Sequence, residues 1–380
     1  MKFYTSVLPY RGRLLVRGVD KDGAQKKYRI NYKPSLFVPV GKESKYKTLD
    51  GRNVAKVKFD SIPEATKWVN EYKNVTNFEY FGNTRHQYPF IADEFAGKVN
   101  WDLSQIKMLS IDIECESENG FPSPDKAAEP LICITVKDYT TKKIIVFGQG
   151  NFVNDREDVQ YFNCSTETHL IEMFTKFWVE YNPDIITGWN VKFFDIPYLM
   201  NRFKNIMGEE WIQQFSPWGI VNEGTALGLG YNRTEAYFDL LGVTTLDYLD
   251  LYRKHTFVRR ESYKLDHIGE VELGQNKLDN PYDTFKEFYQ NDYQRFVEYN
   301  IQDVELVDKL EDKLQLIALH LTMAYEAKVN YQDVFGQVRI WDCIIYHHLR
   351  SKNIVPPAIQ ESKTSGGYEG AYVKDPVVGF

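Results

Sequence analysis

The stretch Ile106-Lys107-Met108-Leu109-Ser110-Ile111-Asp112-Ile113-Glu114 constrains the fold of this chain more than any other segment. It has the apolar, branched character of a buried strand, yet it carries two acids near its end. Because side chains alternate along a strand, Asp112 and Glu114 share one face. A buried carboxylate is expensive unless it is paired, hydrogen-bonded or bound to a metal. The spacing alone is not diagnostic, since Asp-x-Glu recurs at Asp155 to Glu157 and at Asp303 to Glu305. The apolar setting distinguishes the first copy; the plain alternative is an acid on an exposed face or one capping a neighbouring loop.

The segments that follow show what surrounds this strand. After a loop containing Gly and Pro come two more strands, Leu131 to Val136 and Lys143 to Phe147. A helix opens near Ser165 or Thr166, with Leu170, Phe174, Phe177 and Tyr181 as its apolar face. A short strand from Asp184 to Gly188 and a helix including Ile196 to Ile206 complete the pattern. Three strands, then helix, strand and helix, describe an α/β domain with a mixed sheet. A long helix is expected from Asp292 to Tyr325, striped by Val297, Ile301, Val304, Val307, Leu310, Leu314, Ile317 and Leu321.

Residues 1 to about 105 differ. They alternate in the manner of strands, with turns at Asp22-Gly23 and Asp50-Gly51. Ser61-Ile62-Pro63-Glu64 has the spacing of a capping box, and Ala65, Trp68, Val69 and Tyr72 then follow helical period. This reads as a smaller, β-rich α+β domain, and at 380 residues two cores are the natural expectation. A further helix, Val338 to Leu349, precedes a Pro- and Gly-rich end from Ile354 to Phe380.

A formal net charge of −7 argues against a protein that coats nucleic acid through a broad positive field, and excess carboxylate suits metal-dependent phosphate chemistry better. Arg253, Lys254, Arg259, Arg260 and Lys264 form a local basic cluster, either a solvated surface or a phosphate track. Cys115, Cys133, Cys164 and Cys343 lie too far apart in sequence for a zinc or redox motif and read as reduced core thiols. No run approaches the ~18 apolar residues of a membrane span, so no membrane partner is expected and the protein should be cytoplasmic.

Two further elements carry acids. In Thr187-Gly188-Trp189-Asn190-Val191-Lys192-Phe193-Phe194-Asp195 a strand runs through a turn into a helix, and Asp195 lies near the helix start, where its charge is favoured. In Tyr299-Asn300-Ile301-Gln302-Asp303, positions four apart share a helix face, so Tyr299 and Asp303 point together, away from the apolar stripe. Taken singly, each is equally a helix-start acid or a solvated helix face. Taken together, four carboxylates from a strand, a helix start and a late helix supply the hard, charged oxygens that two divalent cations need. Such a pair can hold both the attacking and the leaving oxygen of phosphodiester hydrolysis.

These residues resemble the three exonuclease motifs of family B DNA polymerases, in particular those of T-even-like tailed bacteriophages. Tyr32-Lys33-Pro34-Ser35-Leu36-Phe37, Gly120-Phe121-Pro122, the run from Leu246 to Lys254 and Trp341-Asp342-Cys343-Ile344-Ile345 extend the resemblance along the whole chain. It implies a ribonuclease H-like 3′-5′ exonuclease domain at 106–329. It also implies an amino-terminal domain at 1–105 completed by 330–380. Asp112, Glu114, Asp195 and Asp303 would hold two divalent ions, Mg²⁺ or Mn²⁺, with Asp112 shared between them. Tyr299 would orient water and the scissile phosphate by hydrogen bonding, since an ordinary phenol, of pKa ~10, is a poor base.

The resemblance further implies that Phe121 stacks on a 3′-terminal base and that Asn190 positions the substrate strand. It places Lys277 close to the reaction centre. Phe121 is otherwise a hydrophobic anchor and Asn190 a turn residue. A hairpin near Tyr231 to Tyr237, turning at Asn232-Arg233-Thr234, would help part a primer end from its template. Gly370-Ala371-Tyr372-Val373-Lys374-Asp375-Pro376 is similar to the connector that leads into the palm, so palm, fingers and thumb are expected to be absent. The expected partners are a single-stranded 3′ DNA end or primer–template, a polymerase domain, and a sliding clamp reached through that domain. A different class of reading makes the chain a nucleic-acid-binding accessory or RNA-binding regulatory module.

Overall fold

A computed structural model describes residues 1–117, 122–227, 234–276, 278, 281–282 and 284–358. Phe121, Lys277, the expected hairpin turn at Asn232 and Arg233, and the connector at 370–376 lie outside the described residues.

The strand Met108–Cys115 is buried along its length except at Asp112 and Glu114, as the sequence pattern predicts. It lies inside a six-stranded mixed sheet. The strand order is Val159–Asn163, Ile144–Gly148, Leu131–Asp138, Met108–Cys115, Ile185–Thr187 and Thr244–Thr245. Met108–Cys115 runs antiparallel to Leu131–Asp138 and parallel to Ile185–Thr187. The fourth strand before the first helix, Val159–Asn163, escapes the sequence reading, because Val-Gln-Tyr-Phe-Asn is short and largely accessible and so lacks an apolar run.

Period two divides the central strand between two cores. Ile111, Ile113 and Cys115 pack with Leu170, Phe174 and Trp178 of the helix Glu167–Tyr181 and with Ile196, Leu199 and Phe203 of Asp195–Met207. Thr166 caps the first of these helices by accepting from the His169 amide. The other face, which carries Asp112 and Glu114, is turned towards the long helix Tyr293–Leu314, whose Asn300 reaches Asp112.

That helix is shorter than its apolar periodicity predicts. It stops at Gln315, which adopts a left-handed conformation with φ of 50°, and a second helix, Leu316–Ala327, begins at once. The Glu311 carboxylate accepts from the Ile317 and Ala318 amides and from the Tyr248 hydroxyl, so it satisfies the start of the new helix. The apolar stripe runs straight through the break, which is why sequence periodicity joins the two helices.

The amino-terminal residues form an antiparallel sheet of Phe3–Tyr10, Arg13–Val19 and Gln25–Ile30. A second sheet contains Ser35–Pro39, Tyr46–Thr48 and Asn53–Lys58. Ser61 caps the helix Ile62–Tyr72 through the Glu64 amide, and the Glu64 carboxylate reaches back to the Asp60 amide. The chain beyond residue 328 returns to these sheets. Asn330 exchanges two hydrogen bonds with the Val7 backbone, and Ile354–Val355 pairs in parallel with Lys47 and Thr48. All four cysteines are buried and unbridged. Among the described residues no helix is long and apolar enough to cross a membrane.

Arg17 ties the first sheet to the mixed sheet. Its guanidinium is buried 3.2 Å from Asp184 and also donates to the Pro183 and Gly242 carbonyls. Asp184 in turn accepts from Thr5 Oγ1 and the Lys107 amide. Removing one partner of such a pair leaves the other charge buried without compensation. Arg17→Ala should therefore cost about 3–5 kcal/mol in urea unfolding; a loss below ~1 kcal/mol would assign the pair no structural weight.

Candidate active site

The site begins with the geometry of one strand. Asp112 lies opposite Thr135 and Glu114 opposite Cys133, and the ladder shifts register immediately after Glu114, where the strand ends. Asp303 approaches from the long helix and is 3% exposed. One carboxylate oxygen from each of Asp112, Glu114 and Asp303 lies within 4.8 Å of the other two, so the three acids form a group able to hold a metal ion. At an effective dielectric of ~20, like charges at that separation repel by roughly 3 kcal/mol per pair. A divalent cation is the economical remedy, and hard carboxylate oxygens are the donors that magnesium, calcium and manganese prefer. The donor set therefore fits such an ion.

The long helix also contributes Asn300, which the sequence reading passes over. Its side chain is fully buried, and Nδ2 donates to Asp112 Oδ2 at 2.6 Å. Asn300 precedes Asp303 by three positions and so lies on the same helix face. That spacing is the one signal the sequence offers for it.

Asp195 arrives by a different route. The pairing of Ile185–Thr187 with the central strand ends at Thr187 opposite Ser110, and the chain leaves the sheet at Gly188. Gly188 has φ of 151°, and a Cβ there would collide with the Ile111 carbonyl oxygen, so the turn passes over the strand too closely for any side chain. The turn opens the helix Asp195–Met207, and Asp195 Oδ1 accepts the Ile113 amide at 3.1 Å, between the backbones of Asp112 and Glu114. Asp195 stands outside the group of three yet within its electrostatic reach. Burial pushes its carboxyl well above the usual range, and Asp247 and Asp303 push it the same way, against the Ile113 hydrogen bond.

Tyr299 lies one turn before Asp303, but it does not face a separate, uncovered surface. Its ring is half-buried and meets Phe285 and Phe288 edge-on, at 6.0 Å from each, in the same cluster as Val297 and Ile301. The helix Phe285–Asn291 covers this side of the long helix, a contact that wheel geometry alone cannot anticipate. Tyr289 of that helix donates to Glu116, just past the strand, and so links the aromatic cover to the acidic strand end.

The remaining sequence candidates separate cleanly. Asn190 sits in the turn with φ of 64°. The second Asp-x-Glu copy, Asp155 and Glu157, is exposed on a loop. Much of the basic cluster is engaged within the protein: Arg260 pairs with Glu272 at 2.6 Å, Arg253 stacks on Tyr263, and Lys254 donates to the Phe335 carbonyl.

Comparison of the sequence with known proteins identifies the family. Residues 68–268 match the DNA polymerase family B exonuclease domain. The chain is similar to the DNA-directed DNA polymerase of Escherichia phage RB69, with 31% identity over 99% of this chain and 44% of that protein. Similarity to the DNA-directed DNA polymerase of Enterobacteria phage T4 is 30% over 99% of this chain and 44% of that protein. The DNA polymerase delta catalytic subunit of Caenorhabditis elegans is 29% identical over 73% of this chain and 27% of its own length. The chain thus spans less than half the length of these relatives.

A linkage prediction follows from the raised Asp195 carboxyl. A group whose folded pKa exceeds its unfolded value contributes stability that is fully present below the unfolded pKa and is lost as pH climbs through the folded one. A divalent ion bound beside Asp195 would compete with that proton. Saturating Mg²⁺ should therefore raise the melting temperature by about 2 °C or more, with a larger shift near pH ~8 than near pH ~6. Asp112→Ala should abolish the shift; an equal shift in wild type and Asp112→Ala would place the ion elsewhere.

Proposed function

This chain belongs to the family B DNA polymerases and carries their exonuclease domain, and from that premise we propose that it removes nucleotides from single-stranded or frayed 3′ DNA ends as a proofreading activity. The observation that carries this reading is the convergence of Asp112, Glu114 and Asp303 within 4.8 Å, with Asp195 bound to the strand between the first two.

Asp112, Glu114, Asp195 and Asp303 would hold two divalent cations, Mg²⁺ or Mn²⁺, on this reading. Such ions supply the positive charge that favours ionised water and offsets charge developing on the phosphate. The chain supplies position. Asn300 fixes the Asp112 carboxylate through the 2.6 Å hydrogen bond, and the Ile113 amide fixes that of Asp195. Tyr299, its ring set by Phe285 and Phe288, presents its hydroxyl to water and the scissile phosphate. Asn190 positions the strand, and the family resemblance assigns to Phe121 stacking on the terminal base and to Lys277 a role close to the reaction centre. Water adds to phosphorus, the bond to the 3′ oxygen breaks, and that oxygen takes up a proton. A mononucleotide and a strand shorter by one residue are the products.

The same reading treats 1–105 with 330–380 as one domain and 106–329 as the nuclease; the pairing of Ile354–Val355 with Lys47 and Thr48 supports that division. Primer–template DNA is the substrate and a polymerase domain the partner, with a sliding clamp reached through that domain, in the cytoplasm.

The activity is measured on a 5′-labelled single-stranded oligonucleotide with Mg²⁺ or Mn²⁺. Wild type should produce a ladder shortened from the 3′ end, and Asp112→Ala or Asp303→Ala should lose about 10³-fold or more, ~4 kcal/mol of transition-state stabilisation. Activity retained by either variant, with contaminating nuclease excluded, contradicts the assignment. Paired 3′ ends should be cut more slowly than frayed ones, because the terminal base must first leave its stack at a cost of a few kcal/mol. Equal rates on the two substrates would argue against proofreading.

A further inference from the structure

Asp247 lies at the junction between the mixed sheet and the turn that bears Asn190. The strand Thr244–Thr245 runs parallel to Ile185–Thr187, and the ladder continues past both: the Leu246 amide donates to Ile186 O and the Tyr248 amide to Gly188 O, each at 2.8 Å. At Gly188 the neighbouring chain turns away, and the Asp247 side chain, 2% exposed, reaches across the end of the ladder. Its Oδ1 accepts from the Leu249 amide at 3.0 Å and from the Asn190 amide at 3.0 Å; its Oδ2 accepts from the Lys192 amide at 2.9 Å.

The Leu249 bond is an ordinary cap of the helix Tyr248–His255, and serine, threonine or asparagine would make it equally well. The other two bonds serve the turn. Two backbone donors and a cap donor converging on one buried side chain need both oxygens of a carboxylate as acceptors, because an asparagine amide nitrogen would meet an N–H with an N–H. The turn also needs an external hold. Asn190 is left-handed, at a cost of about 1–3 kcal/mol that surrounding structure must offset. Val191, between the two bonded amides, is fully buried, so the carboxylate and the core grip the turn from different sides.

We propose that Asp247 is a positioning residue for the substrate strand: by accepting the Asn190 and Lys192 amides it fixes the backbone from which the Asn190 side chain meets single-stranded DNA. The proposal rests on the nuclease reading above and adds to it a residue that touches neither DNA nor the reacting atoms. On the substrate strand, Asp247 acts through Asn190. Its loss should therefore appear in strand binding, and removing both side chains should do no more than removing Asn190 alone.

The test is a double-mutant cycle of Asp247→Asn and Asn190→Ala in the 380-residue chain, read in two ways. Steady-state excision of a fluorescein-labelled oligo-dT 12-mer gives KM and kcat. Anisotropy of the same oligonucleotide, with every member also carrying Asp112→Ala to prevent cleavage, gives Kd. Each single variant should raise KM and Kd about tenfold with kcat changed far less, and the double variant should match Asn190→Ala alone. Ser61→Ala, which removes the cap of the helix Ile62–Tyr72, packed in a core separate from that of Val191, is the control for lost stability and should leave KM unchanged.

Wild-type KM and Kd in Asp247→Asn overturn the proposal, as does a double variant weaker by the product of the two single effects. Should Asp247→Asn fail to fold, Asp247→Glu keeps both acceptors on a longer arm that displaces the turn. The same rise in KM is expected of it, and an unchanged KM overturns the proposal. If wild type neither binds nor shortens the oligonucleotide, the nuclease reading itself fails; if wild type acts and only the Asp247 effect is missing, that reading stands and this inference alone falls.

Discussion

Carboxylates whose oxygens lie within 4.8 Å of one another repel, and the folded chain must hold Asp112, Glu114 and Asp303 together against that force. Each is placed by an element whose position is set elsewhere. The central strand is fixed by burial on both faces and by pairing on both edges. The long helix is fixed by Phe296, Val297, Ile301, Leu306, Val307 and Leu310 in two separate cores. Apolar packing thus sets where the three acids stand, and a cation held between them would relieve their mutual repulsion.

The sheet order explains why the fourth acid arrives where it does. Ile185–Thr187 covers the edge of the central strand only as far as Ser110. Beyond that point the Ile113 amide is without a strand partner, and Asp195 supplies the acceptor. One local event, the departure of the chain at Gly188, both frees the donor and delivers the carboxylate that satisfies it. Asp247 holds the turn that follows from the neighbouring strand through two backbone amides.

What the sequence reveals depends on whether a signal is local. Asp112 and Glu114 stand out because an apolar strand makes an acid conspicuous, whereas Asp195 and Asp303 are picked out only in combination with them. The cap at Thr166 and the helix after Ser61 are legible because their signals are local. Asn300 and Asp247 are not. Buried asparagine and helix-capping aspartate look ordinary in sequence, and their significance comes from partners 188 and 57 residues away. The break at Gln315 is hidden by an apolar stripe that continues through it, and the cover over Tyr299 comes from a helix whose docking no periodicity records.

The central claim, that this cluster exists to bind divalent cations, is tested most directly by anomalous diffraction from crystals soaked in Mn²⁺. An anomalous peak among the carboxylates of Asp112, Glu114 and Asp303, with a second beside Asp195, is the predicted result. A cluster without a peak at saturating Mn²⁺, its acids neutralised by lysine or arginine side chains, would contradict the account.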